Sequence, residues 1–310
     1  MIINVGQRTD IPAFYSRWFY NRVKEGYVYV RNPFYPKLVT KYVLDPKTVD
    51  ILCFCTKNPA PMLDRLEEIK AFRQFWYVSI TPYGKDIEAN VPDKHAVIES
   101  FKALSRLNGN KATAWRYDPI LINDRYTISY HLRAFEAICK ELEGYTRLCV
   151  FSFIQLYEKT KKNFPSARKV SKQEKETLIK AMAEIASKYG IRLLSCHDED
   201  PVLEQYGVDT KGCFRKEILE EALGIKLDIP PSKSFAREGC KCLLSHDIGE
   251  YNSCLHECIY CYATYDAQVA KANAKRHDET SPILLGKLEK DDILKDCKEG
   301  SWLSKQLSLF

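Results

Sequence analysis

Three cysteines near the carboxyl end, Cys254, Cys258 and Cys261, stand in a C-x3-C-x2-C spacing, with Tyr260 just before the last of them. Three thiolates this close can hold three irons of a cubane 4Fe-4S cluster and leave the fourth iron open to a small molecule. Structural zinc is the competing chemistry, but it takes four tetrahedral ligands and usually pairs two C-x2-C units, which this spacing fits less well. Plain thiols are the third reading. An open iron would mean chemistry rather than structure.

Four further cysteines, Cys196, Cys213, Cys240 and Cys242, lie upstream of the triplet. Four thiolates complete either a closed cluster or a four-cysteine zinc site, although the intervals match no compact motif. A second 4Fe-4S cluster, zinc and unligated thiols are all open here. Cys53, Cys55, Cys139 and Cys149 fall within apolar runs and are expected to be buried as small hydrophobes.

These residues need a scaffold, and apolar runs of strand length supply one at 2–5, 51–55, 75–81, 112–116, 148–153 and 191–196. Segments of helical period separate them. Phe14, Trp18 and Phe19 share a face after the first run, and Val97, Phe101, Leu104 and Leu107 after the third. Ile128, Leu132, Phe135, Cys139 and Leu142 follow the fourth, and Leu178, Met182, Ile185 and Tyr189 the fifth, with Gly190 as a C-cap. A hairpin of 27–31 with 38–43 interrupts the first unit. Such an alternation predicts an α/β fold on a parallel sheet, either doubly wound or a full or partial barrel. Past Cys196 only 216–223 reads as helix, so a boundary is expected near residue 200, with 201–310 wrapping back over 1–200.

In parallel α/β folds, ligands gather at the carboxyl ends of the strands. There this chain places Arg8, Thr9 and Asp10, then Thr56, Lys57 and Asn58, then Ser79 and Thr81. Arg116 and Asp118, Ser152 and Gln155, and Cys196, His197 and Asp198 follow at the later strands. Asp10 before Ile11-Pro12 and Asp118 before Pro119 would also serve as turn or cap residues. Arg8 and Arg116 suit a carboxylate or phosphate, because a guanidinium offers a planar bidentate fork.

The chain has 310 residues, 45% of them hydrophobic, enough for one large core or two smaller ones. Twelve cysteines in a chain of this length, opening on MIINVGQRTD with no basic and apolar leader pattern, suggest reduced thiols and a cytoplasmic location. No apolar run approaches the roughly 20 residues that span a bilayer, so no membrane association is expected. The net charge of +6 is modest, and the basic clusters at 159–162 and 168–172 read first as solvated faces, which argues against nucleic acid.

The cysteine spacing and its tyrosine resemble the signature of radical S-adenosylmethionine (SAM) enzymes. Taken whole, the chain resembles the uncharacterised DUF1848 family, through QRTDIPAFY, FCTKNPAPM, WRYDPI, FSFIQLYEKT and DIGEYNSCLHECIYCYA. That family carries at its C-terminus a cysteine cluster similar to the one radical SAM enzymes carry near the N-terminus. The TKN and WRYDP segments are similar, more distantly, to the spore photoproduct lyase branch.

The resemblance implies a partial (β/α)6, TIM-like barrel whose cysteine-rich segment folds back over the mouth, in a permuted order. The triplet lies about 250 residues after the first strand rather than directly behind it. It implies one or two 4Fe-4S clusters, SAM as cofactor, and a reductase, flavodoxin or ferredoxin as electron donor. Tyr260 would pack beside adenine, and Thr56, Lys57, Asn58, Ser79 and Thr81 would contact SAM. Thr56, Lys57 and Asn58 stand where a Gly-Gly-Glu usually binds the methionine amino group. Arg8, Asp10, Arg116 and Asp118 would contact a small-molecule substrate or the SAM carboxylate. The alternatives are an iron-sulfur protein that transfers electrons or senses redox state, a radical enzyme of nucleic acid repair or modification, and a zinc-stabilised binding module.

Overall fold

The computed structural model describes residues 1–196, 201–233 and 241–304. Cys240, His197 and Asp198 lie outside the described residues. The chain opens with β1 (Ile2–Val5), α1 (Ile11–Phe14) and α2 (Ser16–Glu25), followed by a hairpin of β2 (Tyr27–Arg31) and β3 (Leu38–Val43). Strand-helix units then repeat: β4 (Ile51–Thr56) and α3 (Ala60–Leu63), β5 (Gln74–Ser79) and α4 (Lys94–Asn108), β6 (Thr113–Ile120) and α5 (Ile128–Leu142). β7 (Leu148–Phe153) leads to α6 (Glu158–Asn163) and α7 (Lys172–Lys188), and β8 (Arg192–Ser195) to α8 (Pro201–Gln205) and α9 (Lys216–Leu223). β9 (His246–Asp247), α10 (Ala267–Ala274) and β10 (Ile293–Asp296) follow.

Seven strands form one parallel sheet in the order β8-β7-β6-β5-β4-β1-β9, and β10-β3-β2 form a second, smaller sheet. All six expected strands are present, in neighbouring order. From β1 through β4 to β8 the chain steps always in one direction. Right-handed crossovers in such a series leave every helix on the same face. The core agrees: Leu52, Phe54, Trp76, Val78, Trp115 and Phe151 pack with Trp18 and Phe19 of α2, Phe101 of α4, Phe135 of α5 and Met182 of α7.

The other face is covered by the C-terminal part of the chain. Ile2, Cys53, Phe75, Tyr77, Ala114 and Val150 pack there against Phe214, Leu219, Leu227, Leu243 and Trp302. Burial on both faces explains why these strands read as nearly unbroken apolar runs. The expected α/β fold on a parallel sheet is observed, and among the described residues that sheet is open: β8 and β9 are its edges, and Leu194 of β8 pairs with Asp209 rather than with β9. The expectation of one helix past residue 200 is corrected, since α8 and α10 join α9; α8 is too short to show a clear period, and α10, AQVAKANA, is mostly alanine and polar residues with no large apolar face. Among the described residues, no helix is long and apolar enough to cross a membrane.

One buried histidine gives the fold a titratable joint. His131 of α5 is fully buried, with Nδ1 2.8 Å from Tyr117 Oη and Nε2 2.8 Å from the Leu121 carbonyl oxygen. A carbonyl only accepts, so Nε2 carries the hydrogen and Nδ1 accepts from Tyr117. Burial pushes the His131 pKa down to about 4, outweighing the Leu121 carbonyl. Below pH 6.5 the unfolded chain therefore binds a proton that the folded one refuses until about pH 4, and stability falls with pH across that window. The expected loss between pH 7 and 5 is about 2 kcal/mol. Urea unfolding at several pH values should show this slope in the parent and not in His131→Gln; parallel slopes would refute it.

Candidate iron-sulfur site

Side chains alternate along a strand, so the inner face of the sheet reads Cys53 then Cys55 on β4, Tyr77 then Ser79 on β5, and Ala114, Arg116 and Asp118 on β6. β7 adds Val150 then Ser152, and β8 runs from Leu194 to Cys196 just past its end. The inner face thus changes from apolar to polar toward the carboxyl ends of the strands.

The C-x3-C-x2-C loop is fastened over those ends. Ile259 N donates to Ile87 O at 3.1 Å, Asn90 N to His256 O at 3.0 Å, and Asn90 Nδ2 to Leu255 O at 2.9 Å. Tyr15 Oη donates to Ser253 O at 2.6 Å and Tyr262 Oη to Gln7 O at 2.7 Å, tying the loop to the exit of β1. Glu257 takes a left-handed φ of 54°, unusual for a residue with a long side chain, and its carboxylate is anchored by Asn90 Nδ2 at 2.9 Å and Lys271 Nζ at 2.7 Å. The expected fold-back of the C-terminal segment to the strand ends is the observed arrangement.

Gly6 makes room for this junction. At its φ of 131° an added Cβ would fall 2.4 Å from the Cys55 carbonyl oxygen, so the turn out of β1 accepts no side chain.

Two buried carboxylates join the loop to the sheet. Asp10 accepts from Ala13 N (3.0 Å) and Thr56 Oγ1 (2.7 Å) on one oxygen, and lies 2.7 Å from Lys57 N and 2.8 Å from His256 Nε2 on the other. Its acceptor sites are filled. Glu88, 1% exposed, accepts from Lys57 Nζ and Thr81 Oγ1, each at 2.7 Å, and also from Lys94 Nζ and Tyr260 Oη. Burial alone would raise the Glu88 pKa; the ammonium groups of Lys57 and Lys94 reverse that and hold it at about 2. Lys57 also sits 5.7 Å from the centre of the Tyr260 ring.

Cys254, Cys258 and Cys261 sit at this junction, each half-buried. Burial raises the Cys254 and Cys258 thiols, and Cys261 adds to both. Among the described residues, no group of three or more His, Cys, Asp or Glu side chains is gathered so as to hold a metal ion. The donor set itself suits iron-sulfur: three soft thiols on one short loop, each able to serve a different iron, with a lysine ammonium beside Cys258 to offset thiolate charge.

The remaining expected residues fall into two groups. Arg116 and Asp118 form an ion pair on the inner face, where Ser152 Oγ also donates to Asp118 and the guanidinium lies 5.5 Å from the centre of the Tyr77 ring. Asp118 raises the Arg116 pKa against the effect of burial, and Cys213, Cys55 and Cys196 reinforce it. Arg8 is engaged elsewhere: its Nε donates to Asp247 Oδ2 at 2.9 Å, fixing β9 beside β1. Thr56 Oγ1 accepts from Asn58 N at 2.9 Å, and Asn58 Oδ1 from Ala60 N at 3.3 Å, so both shape the turn into α3. Ser79 is half-buried beside this polar wall. Cys53, Cys139 and Cys149 are buried as expected, whereas Cys55 is only half-buried and faces Arg116, a correction to its reading as a core residue.

Glu88, His256 and Lys94 were not anticipated. Glu88 lies in an irregular loop with no period to mark it. His256 carried a usable signal, its position inside the C-x3-C interval.

No curated protein matches the chain. Among solved structures, a protein described as a candidate alpha-L-fucosidase from Bacteroides thetaiotaomicron VPI-5482 is similar at 12% identity with a TM-score of 0.30. The match covers 53% of this chain and 50% of that one, so the chain spans about half the length of that structure. The model of the Domain of unknown function (DUF1848) matches residues 2–263, from β1 to just beyond Cys261, and the chain belongs to that family.

Proposed function

We propose that this protein is a radical SAM enzyme, with Cys254, Cys258 and Cys261 holding a 4Fe-4S cluster. The observation that carries the reading is the delivery of a three-cysteine loop, from the far end of the chain, to the polar carboxyl ends of a parallel α/β sheet. A cluster held by these three cysteines would supply one-electron reductive cleavage of SAM to methionine and a 5'-deoxyadenosyl radical, the electron coming from a reduced flavodoxin- or ferredoxin-like donor. The chain's own residues position and shield. Asp10 and Glu88 fix the loop, Tyr260, held through its hydroxyl by Glu88, would pack beside adenine, and Lys57 supplies a cation beside Cys258. Asn58 and Ser79, both half-buried, are the groups left to line an approach to SAM, whereas Thr56 and Thr81 are buried and give their hydroxyls to Asp10 and Glu88. Arg116 and Asp118, on the inner face, are the groups left to meet a polar substrate, while Arg8 and Asp10 act through the loops they hold.

Electron paramagnetic resonance of anaerobically purified, dithionite-reduced protein, with and without SAM, tests this reading. A 4Fe-4S signal that shifts on adding SAM is expected. A signal indifferent to SAM would replace the proposal with electron transfer or redox sensing, and zinc-loaded protein with no signal would remove iron chemistry altogether.

A further inference from the structure

The triplet leaves a second group of thiols unused. Cys196 follows β8, Cys213 precedes α9, and Cys242 precedes β9, yet the three meet under the inner face of the large sheet. Cys213 Sγ lies 3.5 Å from Cys242 Sγ and shares a hydrogen bond with Cys196. The approach is built into the backbone. Cys196 N donates to Phe151 O at 2.8 Å, and Leu243 N to Phe214 O at 2.8 Å, which aligns the segments carrying Cys242 and Cys213. Gly212 permits that alignment: at its φ of 99°, a Cβ would stand 3.0 Å from the Lys241 carbonyl.

We propose that Cys196, Cys213 and Cys242 are ligands of a second metal centre, a thiolate site for zinc or for an iron-sulfur cluster, separate from the C-x3-C-x2-C loop. Buried cysteines usually act as small hydrophobes. Three that converge on one another from segments remote in sequence, beside the half-buried Arg116 guanidinium, call for more than packing. A centre with several thiolates is anionic, and a fixed cation offsets that charge. The 3.5 Å sulfur separation is close to the edge of about 3.8 Å expected between two thiolates on one tetrahedral zinc. No ready-made ion site exists among the described residues, so loading must displace the thiol protons and turn side chains inward. It requires no electron transfer. The sequence places Cys240 two positions before Cys242, and the assignment stands on the other three.

The test removes the first site. With Cys254, Cys258 and Cys261 all replaced by alanine, anaerobically purified protein is expected to retain about one metal centre per chain. Iron with sulfide and visible charge-transfer absorption would identify a cluster, and colourless protein with zinc a structural ion. Adding Cys213→Ser and Cys242→Ser should lower that metal roughly tenfold. No metal in the alanine background, or metal indifferent to the serines, would overturn the assignment whatever becomes of the radical SAM reading. Should these variants fail to fold, alkylation of the unmutated protein decides: by mass spectrometry, Cys213 and Cys242 should react roughly tenfold faster after a chelator strips the metal. Equal rates before and after would overturn it.

Discussion

Cys258→Ala is expected to abolish reductive cleavage of SAM to 5'-deoxyadenosine while leaving the fold in place. The expectation rests on how the loop is held. Its anchors are backbone groups and neighbours: Ile259 N on Ile87 O, Cys261 N on Cys258 O, and the backbone pairing of Glu88 with Cys258. None of these uses the Cys258 sulfur, whose own side-chain hydrogen bond is with Tyr260. Losing one half-buried thiol should therefore shift stability by only about 1 kcal/mol. A cubane deprived of one of three protein ligands, by contrast, is left with two unprotected irons. Iron content, thermal unfolding and 5'-deoxyadenosine formation should be measured on the same preparation. Cleavage at the parental rate would end the radical SAM assignment, and loss of cleavage together with the fold would shift the test to Cys254→Ala or Cys261→Ala.

The sheet was legible because its order is set by local alternation. Runs such as Ile51–Thr56 and Leu148–Phe153 are apolar on both faces, and four of the six runs are followed by a segment of helical period, so parallel neighbours could be read one after another. What closes or opens the sheet was not legible. β9 is two residues long and joins β1 through contacts some 240 residues apart in sequence, and Asp209 caps the β8 edge from within irregular chain. The triplet was visible because its spacing is local. Its supports were hidden for the opposite reason: Glu88 becomes a junction only through Lys57, Thr81, Lys94 and Tyr260, which three other stretches of chain and its own loop bring to it. Arg8, read as a ligand contact, found its carboxylate within the protein, on Asp247.

Glu88→Gln should be the most destabilising isosteric change at the site. The carboxylate is 1% exposed and answers two ammonium groups, Lys57 and Lys94, together with the hydroxyls of Thr81 and Tyr260. A glutamine keeps the shape but removes the charge, and its amide nitrogen must face at least one donor where an oxygen stood. Two lysines would then share a buried site with no counter-charge, and breaking a buried pair this way costs about 3–5 kcal/mol. Burial and the charge of Lys57 already lower the Lys94 pKa, so Lys94, nearer the rim, should be the one to give up its proton or move outward. Adding Lys94→Met to Glu88→Gln should accordingly recover part of the loss, whereas Lys94→Met alone should destabilise. Because Tyr260 and the Cys258 backbone are both fastened at Glu88, the single variant should also lose iron faster on dilution. Urea unfolding of the two single variants and the double variant, paired with iron retention, measures both effects. Parental stability in Glu88→Gln, or strictly additive losses, would mean that this carboxylate is not what holds the cysteine loop to the sheet.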